Sequence, residues 1–483
     1  MSAAPPPTSP GVTADSAQGR WILAAATLGS GMAMLDGTVV NVALRSIGTA
    51  LDASAADLQW VVNGYLLALA SLILVGGSLG DRFGRRRVFV VGVVWFAAAS
   101  GLCAVATSPL TLVVARIVQG VGAALLAPGS LAMIQGSFVA ADRGKVIGRW
   151  AGLGGIAAAV GPFLGGWFVQ TASWRWIFWL NVPVAVAVVL VAVRHVPESR
   201  DPTAAREFDV PGAVLAVAGL GAVTVALVDP AASYALPAGV AGALALAGFV
   251  WVERRSPHPL VPLSLFGSRV FSVANAMTVL VYGALGVILL FLVLDLQVSL
   301  GYSPIRAGTS VIPLTVVMLL LSSRSGALAS RIGPRLQMSV GPAACALGAL
   351  MLSRLGTGDS YWLGVLPGLV VFSLGLVAMV APLTATVLAA APDHFAGIAS
   401  GVNNAVARTG SLLAVAALPA LVGVTGDGYR DPAVMGPGYR SALLVCAGLL
   451  LAGGVVSFLG LPARTRCGSV GHPVVTAGET AST

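Results

Sequence analysis

The stretch Gly77-Ser78-Leu79-Gly80-Asp81-Arg82-Phe83-Gly84-Arg85-Arg86-Arg87 connects two long apolar segments. A weaker echo, Gly326-Ala327-Leu328-Ala329-Ser330-Arg331-Ile332-Gly333-Pro334-Arg335, connects two others. The first copy follows the second apolar segment and the echo follows the tenth, an offset of eight segments. Two six-helix halves with two helices inserted between them give that offset, and repeated halves around a central site are common in secondary transporters. The sequence therefore predicts an internally duplicated, all-α membrane protein.

The composition supports a membrane setting. The chain is 57% hydrophobic and only 9% charged, whereas ordinary soluble domains carry roughly 25% charged residues. Fourteen apolar stretches approach the roughly 20 residues that a helix needs to cross a bilayer. They lie near 21–43, 58–80, 88–106, 110–133, 146–170, 176–194, 211–229, 235–253, 271–295, 307–328, 337–355, 361–388, 397–424 and 440–461. The expected fold is thus a polytopic helical protein with about fourteen transmembrane helices.

The basic residues, 26 arginines and one lysine, are distributed unevenly among the loops. If the N-terminus is cytoplasmic, 19 of these 27 residues lie in inner loops and tails, six lie in outer loops, and Arg116 and Arg408 lie within spans. Cytoplasmic loops are enriched in arginine and lysine. We therefore expect a multi-pass protein of the inner (plasma) membrane with both termini in the cytoplasm. The net charge of +9 is then a topology signal, and no nucleic-acid partner is expected.

The spans divide the chain into five parts. A six-helix half is predicted at 20–195, a linker with two extra transmembrane helices at 196–270, and a second six-helix half at 271–462. The polar tails 1–19 and 463–483 are expected to be disordered.

The loops argue against an enzyme. They are too short for a soluble catalytic domain, and they carry no clustered carboxylates or His-Asp pair. The four cysteines show no metal-ligand spacing, and no ATP-binding loop of the form G-x-x-x-x-G-K-[ST] occurs. No metal and no cofactor are expected, so the driving force should be an ion gradient, with protons, a small molecule and the lipid bilayer as partners and a monomer as the working unit.

Asp36 is the strongest single pointer to function. It lies inside the first apolar span, where a carboxylate costs several kcal/mol unless it is paired, hydrated or protonated. At 1.5 Å per residue it lies roughly 22 Å from the inner end of span 1, and Arg116 lies roughly 9 Å from the outer end of span 4. In a hydrocarbon core about 30 Å thick these depths are nearly the same. We therefore expect Arg116 to lie close to Asp36 and to bias its proton equilibrium; a static structural pair is the alternative.

The loop motif at 77–86 resembles the signature of the major facilitator superfamily. Together with Leu35-Asp36-Gly37-Thr38-Val39-Val40-Asn41-Val42-Ala43-Leu44, it resembles the fourteen-spanner drug:proton antiporter branch. Three other stretches agree: Arg116-Ile117-Val118-Gln119-Gly120-Val121-Gly122, Gly161-Pro162-Phe163-Leu164-Gly165-Gly166 and Trp174-Arg175-Trp176-Ile177-Phe178-Trp179-Leu180-Asn181-Val182-Pro183. The resemblance covers roughly residues 20–462. The chain departs from it at Arg45, Asp295 and Ser330.

The resemblance assigns roles to two of these motifs. It implies that the loop with Gly77, Asp81, Gly84, Arg85 and Arg86 is a conformational latch, with simple loop packing as the alternative. It implies that the span 5 motif with Gly161, Pro162, Gly165 and Gly166 is an antiporter hinge that helps to prevent leak. A packing kink without a coupling role is the alternative there, since proline removes a backbone hydrogen bond and glycine permits close helix approach.

The remaining candidates are polar residues within spans. Asp295 is a candidate second proton-coupling residue, with an interfacial carboxylate as the alternative. Polar and charged groups at membrane depth usually face a cavity or a partner. The candidate substrate cavity comprises Asn41, Trp60, Asn63, Tyr65, Gln119, Asn403, Asn404 and Arg408.

These observations lead to one functional expectation. The protein should be a proton-coupled exporter of hydrophobic small molecules, cationic compounds included, that works by alternating access. An exporter of one lipid or secondary metabolite, or an importer, on the same fold is the first alternative. A polytopic membrane enzyme is the remote one.

Overall fold

The computed structural model describes residues 11–200, 209–356, 358–392 and 395–462. Within that part it is helical almost throughout, and fourteen helices are long and apolar enough to cross a membrane. The predicted number of spans is therefore confirmed. The first helix is much longer than the predicted 21–43, because it continues past the apolar stretch at both ends, over Ala17–Leu51.

Each half contains seven helical segments, one span in each being interrupted. The N-terminal half holds α1 (Ala17–Leu51), α2 (Ala55–Phe83), α3 (Arg85–Ala104), α4 (Pro109–Ser137), α5 (Ala140–Thr171), α6 (Trp176–Trp179) and α7 (Asn181–His195). The two inserted helices are α8 (Val210–Val228) and α9 (Ala235–Arg255). The C-terminal half holds α10 (Arg269–Val298), α11 (Pro304–Ser310), α12 (Ile312–Ile332), α13 (Pro334–Leu352), α14 (Leu366–Ala389), α15 (Ala396–Leu421) and α16 (Pro432–Gly460).

Local sequence signals set several helix ends. Ser54 and Asp57 form a reciprocal capping box at the start of α2, and Ser108 and Thr111 do the same at the start of α4. The turn between α2 and α3 is made by Gly84 at φ 112°, a left-handed conformation that favours glycine. The loop motif thus contains its own turn residue.

The two halves meet along several helix pairs. In the N-terminal half α1 packs on α4, α5 and α7, and in the C-terminal half α10 packs on α15 and α16. Across the halves α2 contacts α15, α5 contacts α11 and α12, and α1 contacts α10. The inserted pair α8–α9 lies against α2 and α15. We call the side that carries the start of α1 and the end of α16 the terminal face, and the other side the opposite face.

The segment before α1 differs from expectation. Residues 1–19 were expected to be disordered, yet 11–16 contact the junction of α4 and α5: the Val12 amide donates to the Ser137 carbonyl (2.8 Å) and the Ala14 amide to the Asp142 carboxylate (2.7 Å). Lys145 pairs with Asp15 at 2.9 Å. Polar composition missed this contact because its partners, the Ser137 carbonyl and the side chains of Asp142 and Lys145, are far away in the sequence. Residues 1–10 and the predicted tail 463–483 lie outside the described residues.

Candidate functional site: a buried charge cluster between α1, α4 and α7

The predicted proximity of Asp36 and Arg116 is confirmed. Asp36 is fully buried on α1, and the Arg116 Nη1 on α4 donates to its Oδ2 at 2.5 Å. The same Nη1 donates to the Gln119 Oε1 at 2.7 Å, and the Gln119 Nε2 donates to the Asp36 Oδ1 at 2.9 Å. Gln119 lies three residues after Arg116, so both side chains leave the same face of α4. The three side chains therefore form a closed ring of contacts, and the Asp36 carboxylate is one of its members.

Aromatic rings and a backbone carbonyl hold the guanidinium in place. The Arg116 Nε donates to the Val61 carbonyl at 3.1 Å, and its carbon lies 4.3 Å from the centre of the Tyr65 ring. Phe178 lies on a further side at 5.8 Å. Because an aromatic face attracts a cation, these rings favour the charged arginine without adding a second anion.

The arrangement balances one negative and one positive charge in a site sealed from solvent. Removing one partner from a buried ion pair costs about 3–5 kcal/mol, because an uncompensated charge is left behind. A proton that neutralises Asp36 removes the partner of Arg116 in the same way. The cluster can therefore translate a change of protonation into a rearrangement between α1 and α4.

On the opposite face, hydrogen bonds join the two halves. Arg45 at the end of α1 donates to the Gln297 carbonyl on α10, and the Gln297 Nε2 donates back to the Val42 carbonyl at 3.1 Å. Arg430, in the loop before α16, donates to the Ala53 carbonyl at 3.2 Å and also to the Gly48 carbonyl at 2.6 Å. Each of these contacts crosses from one half to the other, so this face is closed.

The span 5 motif contributes to the same closure. A Cβ placed on Gly166 would lie 2.5 Å from the Ile305 Cα on α11, and a Cβ on Gly308 would collide with the Pro162 carbonyl. Glycine on both helices is therefore required for this close approach. On the adjacent face, Gly161 lies against Thr38 and Gly165 against Val39, so α5 also packs on α1 next to Asp36.

Towards the terminal face, the side of α5 that carries Pro162 and Gly166 borders open space. Gly148, Gly152 and Gly155 lie on the same side of α5 as Pro162 and Gly166. A Cβ added at any of these three glycines would meet no atom within 4 Å. Helix α5 thus contacts the C-terminal half at its opposite-face end and diverges from it towards the terminal face. The described residues therefore leave a gap beside α5 on the terminal face.

The loop motif contacts its own half. Asp81 pairs with Arg85 at 2.9 Å within one helical turn, and the Arg86 amide donates to Glu198 at 3.1 Å. Glu198 follows α7 and also lies 3.7 Å from the Arg87 guanidinium. A Cβ on Gly77 would lie 3.7 Å from Pro128 on α4, an ordinary contact. The loop therefore fixes the segment after α7 to the start of α3.

The candidate cavity residues are divided between the two halves. Asn63 is fully buried on α2, and neither polar atom of its amide finds a partner in the described part of the chain. Asn403 donates to Asn275 at 3.1 Å and to Thr278 at 2.8 Å, so it ties α15 to α10. The other candidates differ in burial: Tyr65 and Gln119 are buried in the Asp36 cluster, Asn41, Trp60 and Arg408 are half-buried, and Asn404 is exposed.

Asp295 is not brought together with Asp36. It is buried near the end of α10, where it accepts a hydrogen bond from the Ser299 hydroxyl at 2.6 Å. It lines a cleft formed by α10, α13, α16 and the loops beside them, with Arg354 and Arg440 on the rim. The lining residues of this Asp295 cleft all belong to the C-terminal half. Gln297, two residues on, points instead to the N-terminal half.

Comparisons with known proteins agree with this architecture. The family model described as Major Facilitator Superfamily matches residues 26–415. The chain belongs to the major facilitator superfamily.

Relatives of this facilitator include the puromycin resistance protein pur8 of Streptomyces alboniger, 36% identical over 90% of this chain and 90% of the relative. The tetracenomycin C resistance and export protein of Streptomyces glaucescens is 34% identical over 85% of this chain and 77% of the relative. The crystal structure of a D-xylose-proton symporter shares the fold, with a TM-score of 0.64 and 16% identity over 92% of this chain and 99% of that one. The resemblance to drug exporters of the superfamily is thereby confirmed. The protein is a membrane transporter and not an enzyme.

The structure also adds residues that the sequence reasoning missed. The Asn181 Nδ2 at the start of α7 donates to the Asp36 Oδ1 at 3.3 Å and to the Ser100 hydroxyl at 3.0 Å. Asn181 stands in the quoted motif at 174–183, but nothing in the spacing relates it to span 1. In this facilitator Asn181 brings a third helix, α7, into contact with the charge cluster. Among the described residues no group of three or more histidine, cysteine or acidic side chains could hold a metal ion.

Proposed function

We propose that this facilitator exports hydrophobic small molecules across the plasma membrane in exchange for protons. The observation that carries the proposal is the sealed Asp36–Arg116–Gln119 cluster, since it places a titratable group at membrane depth and contacts three helices of one half. An ionisable residue inside a membrane is a functional site by default. The resistance and export functions in the names of the relatives support the outward direction.

The orientation follows from the loop charges. Nineteen of the 27 basic residues lie on the side that includes the terminal face, which supports a cytoplasmic position for both termini. On this assignment the structure is the inward-open form, ready to take substrate from the cytoplasm. The contacts of Arg45, Gln297 and Arg430 then form the closed outer gate.

The transport cycle requires proton and substrate to favour opposite forms. In the inward-open form Asp36 is charged and held by Arg116. Protonation from the outside in the alternative form would release Arg116, and return to the inward-open form would restore the pair as the proton leaves. The span 5 motif would act as the hinge at the outer gate, the loop at 77–86 as the latch of the inner face, and the protein would function as a monomer without a cofactor.

Asp295 has a separate place in this proposal. It lies in its own cleft near the opposite face, so we propose it as a second protonation site and not as a member of the Asp36 cluster. Asp36→Asn should abolish exchange, whereas Asp295→Asn should reduce the number of protons exchanged per substrate.

The test is transport by reconstituted protein. Proteoliposomes with an imposed proton gradient are offered fluorescent lipophilic cations, neutral compounds and acids, and accumulation is compared between wild type and Asp36→Asn. Because Asn leaves Arg116 buried without its anion, the double variant Asp36→Asn/Arg116→Gln is included, and each protein is checked for monodisperse elution. Gradient-driven accumulation lost in both variants supports the proposal. Full accumulation by a variant, or none by wild type for any compound, contradicts it.

A further inference from the structure

Arg408 is a second guanidinium at membrane depth, and it is not part of the Asp36 cluster. It lies on α15 between two close contacts, that of Gly401 with Leu74 on α2 and that of Gly410 with Val279 on α10. Arg408 follows Gly401 by about two helical turns, so it lies on the side of α15 that meets α2 of the other half.

The side chain is available to a ligand. Arg408 is half-buried, and among the described residues its guanidinium makes no hydrogen bond and no ion pair. Asn404, one turn earlier on the same face of α15, is exposed, as is Gly397 two further turns towards the terminal face. Exposed positions on one side of α15 therefore extend from the terminal face towards Arg408.

No carboxylate among the described residues forms an ion pair with Arg408, and the acidic groups deepest in the described spans are engaged elsewhere. Asp36 is already paired with Arg116 at 2.5 Å. Asp295 lines a cleft that belongs to the C-terminal half alone. Glu253 lies at the end of the inserted helix α9, where it accepts from the Val261 amide at 3.0 Å. The excess charge at the meeting surface of the halves is therefore positive.

We infer that Arg408 binds an anionic group of the transported compound, so the preferred substrates are amphipathic acids and not lipophilic cations. This inference rests on the export function proposed above and names its substrate class. A guanidinium presents paired donors that match a carboxylate or sulfonate, and such charge-assisted bonds are strong where water is scarce. A cationic compound would instead meet like charge with no carboxylate to receive it.

The first test measures binding and needs no gradient. Purified protein in nanodiscs is titrated with 8-anilinonaphthalene-1-sulfonate and with N-phenyl-1-naphthylamine, which has the same ring system without the sulfonate, and empty nanodiscs are subtracted. We expect the sulfonate to bind about tenfold more tightly than the uncharged probe, a difference of about 1.4 kcal/mol. Arg408→Gln should remove that difference while leaving the affinity for the uncharged probe unchanged, and Arg408→Lys should retain part of it.

Controls separate this site from other arginines and from misfolding. Arg354→Gln, at the Asp295 cleft, should change the affinity for neither probe. Retained binding of the uncharged probe by Arg408→Gln shows that the variant is folded. Equal affinity of wild type for both probes, an equal loss of both in Arg408→Gln, or tighter binding of the cation ethidium would overturn the inference.

A second measurement distinguishes this inference from the proposed function. Proton-driven uptake of the sulfonate probe into proteoliposomes is compared with uptake of ethidium. Uptake of ethidium in preference to the sulfonate leaves proton-coupled transport intact and overturns the substrate class. Binding of the sulfonate that depends on Arg408, without proton-driven uptake of any compound, supports the anion site and overturns the coupling.

Discussion

At the scale of single residues, Gln119 links the two charges of the central cluster. Its amide accepts from Arg116 and donates to Asp36, so it is bonded to both ions at once. Hydrogen bonds to charged groups contribute about 1.5–3 kcal/mol each, and a partner left unsatisfied costs more. Gln119→Leu should therefore lower the rate of proton-driven transport per folded protein by roughly tenfold or more.

The matched control is another buried glutamine outside the cluster. Gln337 on α13 donates to Ser325 in the C-terminal half, away from Asp36. Gln337→Leu should leave the transport rate within about twofold of wild type, because a local hydrogen bond is lost but no ion is exposed. Equal losses in both variants would show that Gln119 acts only through stability.

The contact between Asp36 and Arg116 could be predicted from sequence, because the number of residues between a side chain and the end of its span gives its depth in the membrane. A fixed rise per residue places both side chains at one level, and an unpaired charge there is costly. The participation of Asn181 could not be predicted in this way. It depends on how α7 is turned about its axis, which the apolar pattern of a helix surrounded by lipid and protein does not specify.

At the scale of helices, the close approach of α5 and α11 controls the closed face. Gly166→Val places two methyl groups where the Ile305 backbone already lies. Overpacking of this kind costs about 1–3 kcal/mol, enough to shift a two-state equilibrium roughly tenfold or more. We expect the variant to open the opposite face and to lose transport.

Distances between spin labels on cysteines at Thr49 and Ser360, both exposed on the opposite face, would report this opening. The longer-distance population should grow in Gly166→Val. Gly448→Val on α16 is the control, since a Cβ there meets no atom within 4 Å. An unchanged distance distribution in Gly166→Val would contradict the role of this contact.

The ion pair of Asp15, in the segment before α1, predicts that the stability of this segment depends on pH. The Lys145 ammonium, by its hydrogen bond and its charge, holds the pKa of Asp15 below its ordinary value of 3.8, with Arg149 contributing less. A carboxyl group with a lowered pKa in the folded state stabilises that state above its ordinary pKa, and the effect is lost as the pH falls through the lowered value. The protection factor for hydrogen exchange in residues 11–16, which corrects for the pH dependence of the intrinsic exchange rate, should therefore be high at neutral pH and lower in acid.

In Asp15→Asn, residues 11–16 should be as weakly protected from hydrogen exchange at neutral pH as they are in wild type in acid. Asp52→Asn, at an exposed carboxylate beside Arg430 on the opposite face, should leave exchange in residues 11–16 unchanged. Protection that is the same in Asp15→Asn and wild type would mean that the backbone bonds of Val12 hold the segment without the ion pair.

The loop motif illustrates what an element's sequence can and cannot specify. The turn at Gly84 follows from the glycine itself. The bond from Arg86 to Glu198 could not be predicted, because 112 residues separate the two and Glu198 lies in a connection without a periodic pattern. The role of this loop as a conformational latch stays a prediction.

At the scale of the whole molecule, the inward-open assignment makes a prediction about access. A cysteine at Asn404, exposed on α15 along the open side, should react with a membrane-impermeant maleimide in inside-out vesicles and not in intact cells. The variant is made in a Cys467→Ser background, since Cys103, Cys345 and Cys446 are buried. A cysteine at Thr49 is the control and should react only from outside. Reversal of the two patterns would overturn the proposed orientation.

The overall architecture could be read from the sequence because lipid imposes a simple rule. Every span must be long and apolar, so fourteen spans and the duplicated loop motif sufficed for the fold. The open or closed state of each face could not be read, since one sequence encodes both forms and their difference is small in free energy. The positions of Gly152 and Gly166 on one stripe of α5 became informative only when their neighbours were known.

The central claim is that substrate and protons are exchanged through Asp36. Proteoliposomes are loaded with a compound that the protein moves and with a pH-sensitive dye, and are diluted into compound-free buffer at the same pH. As the compound leaves down its gradient, the lumen should become acidic for wild type, and Asp36→Asn should show no acidification. Exit of the compound from wild-type vesicles without acidification, or equal acidification with Asp36→Asn, would contradict the account.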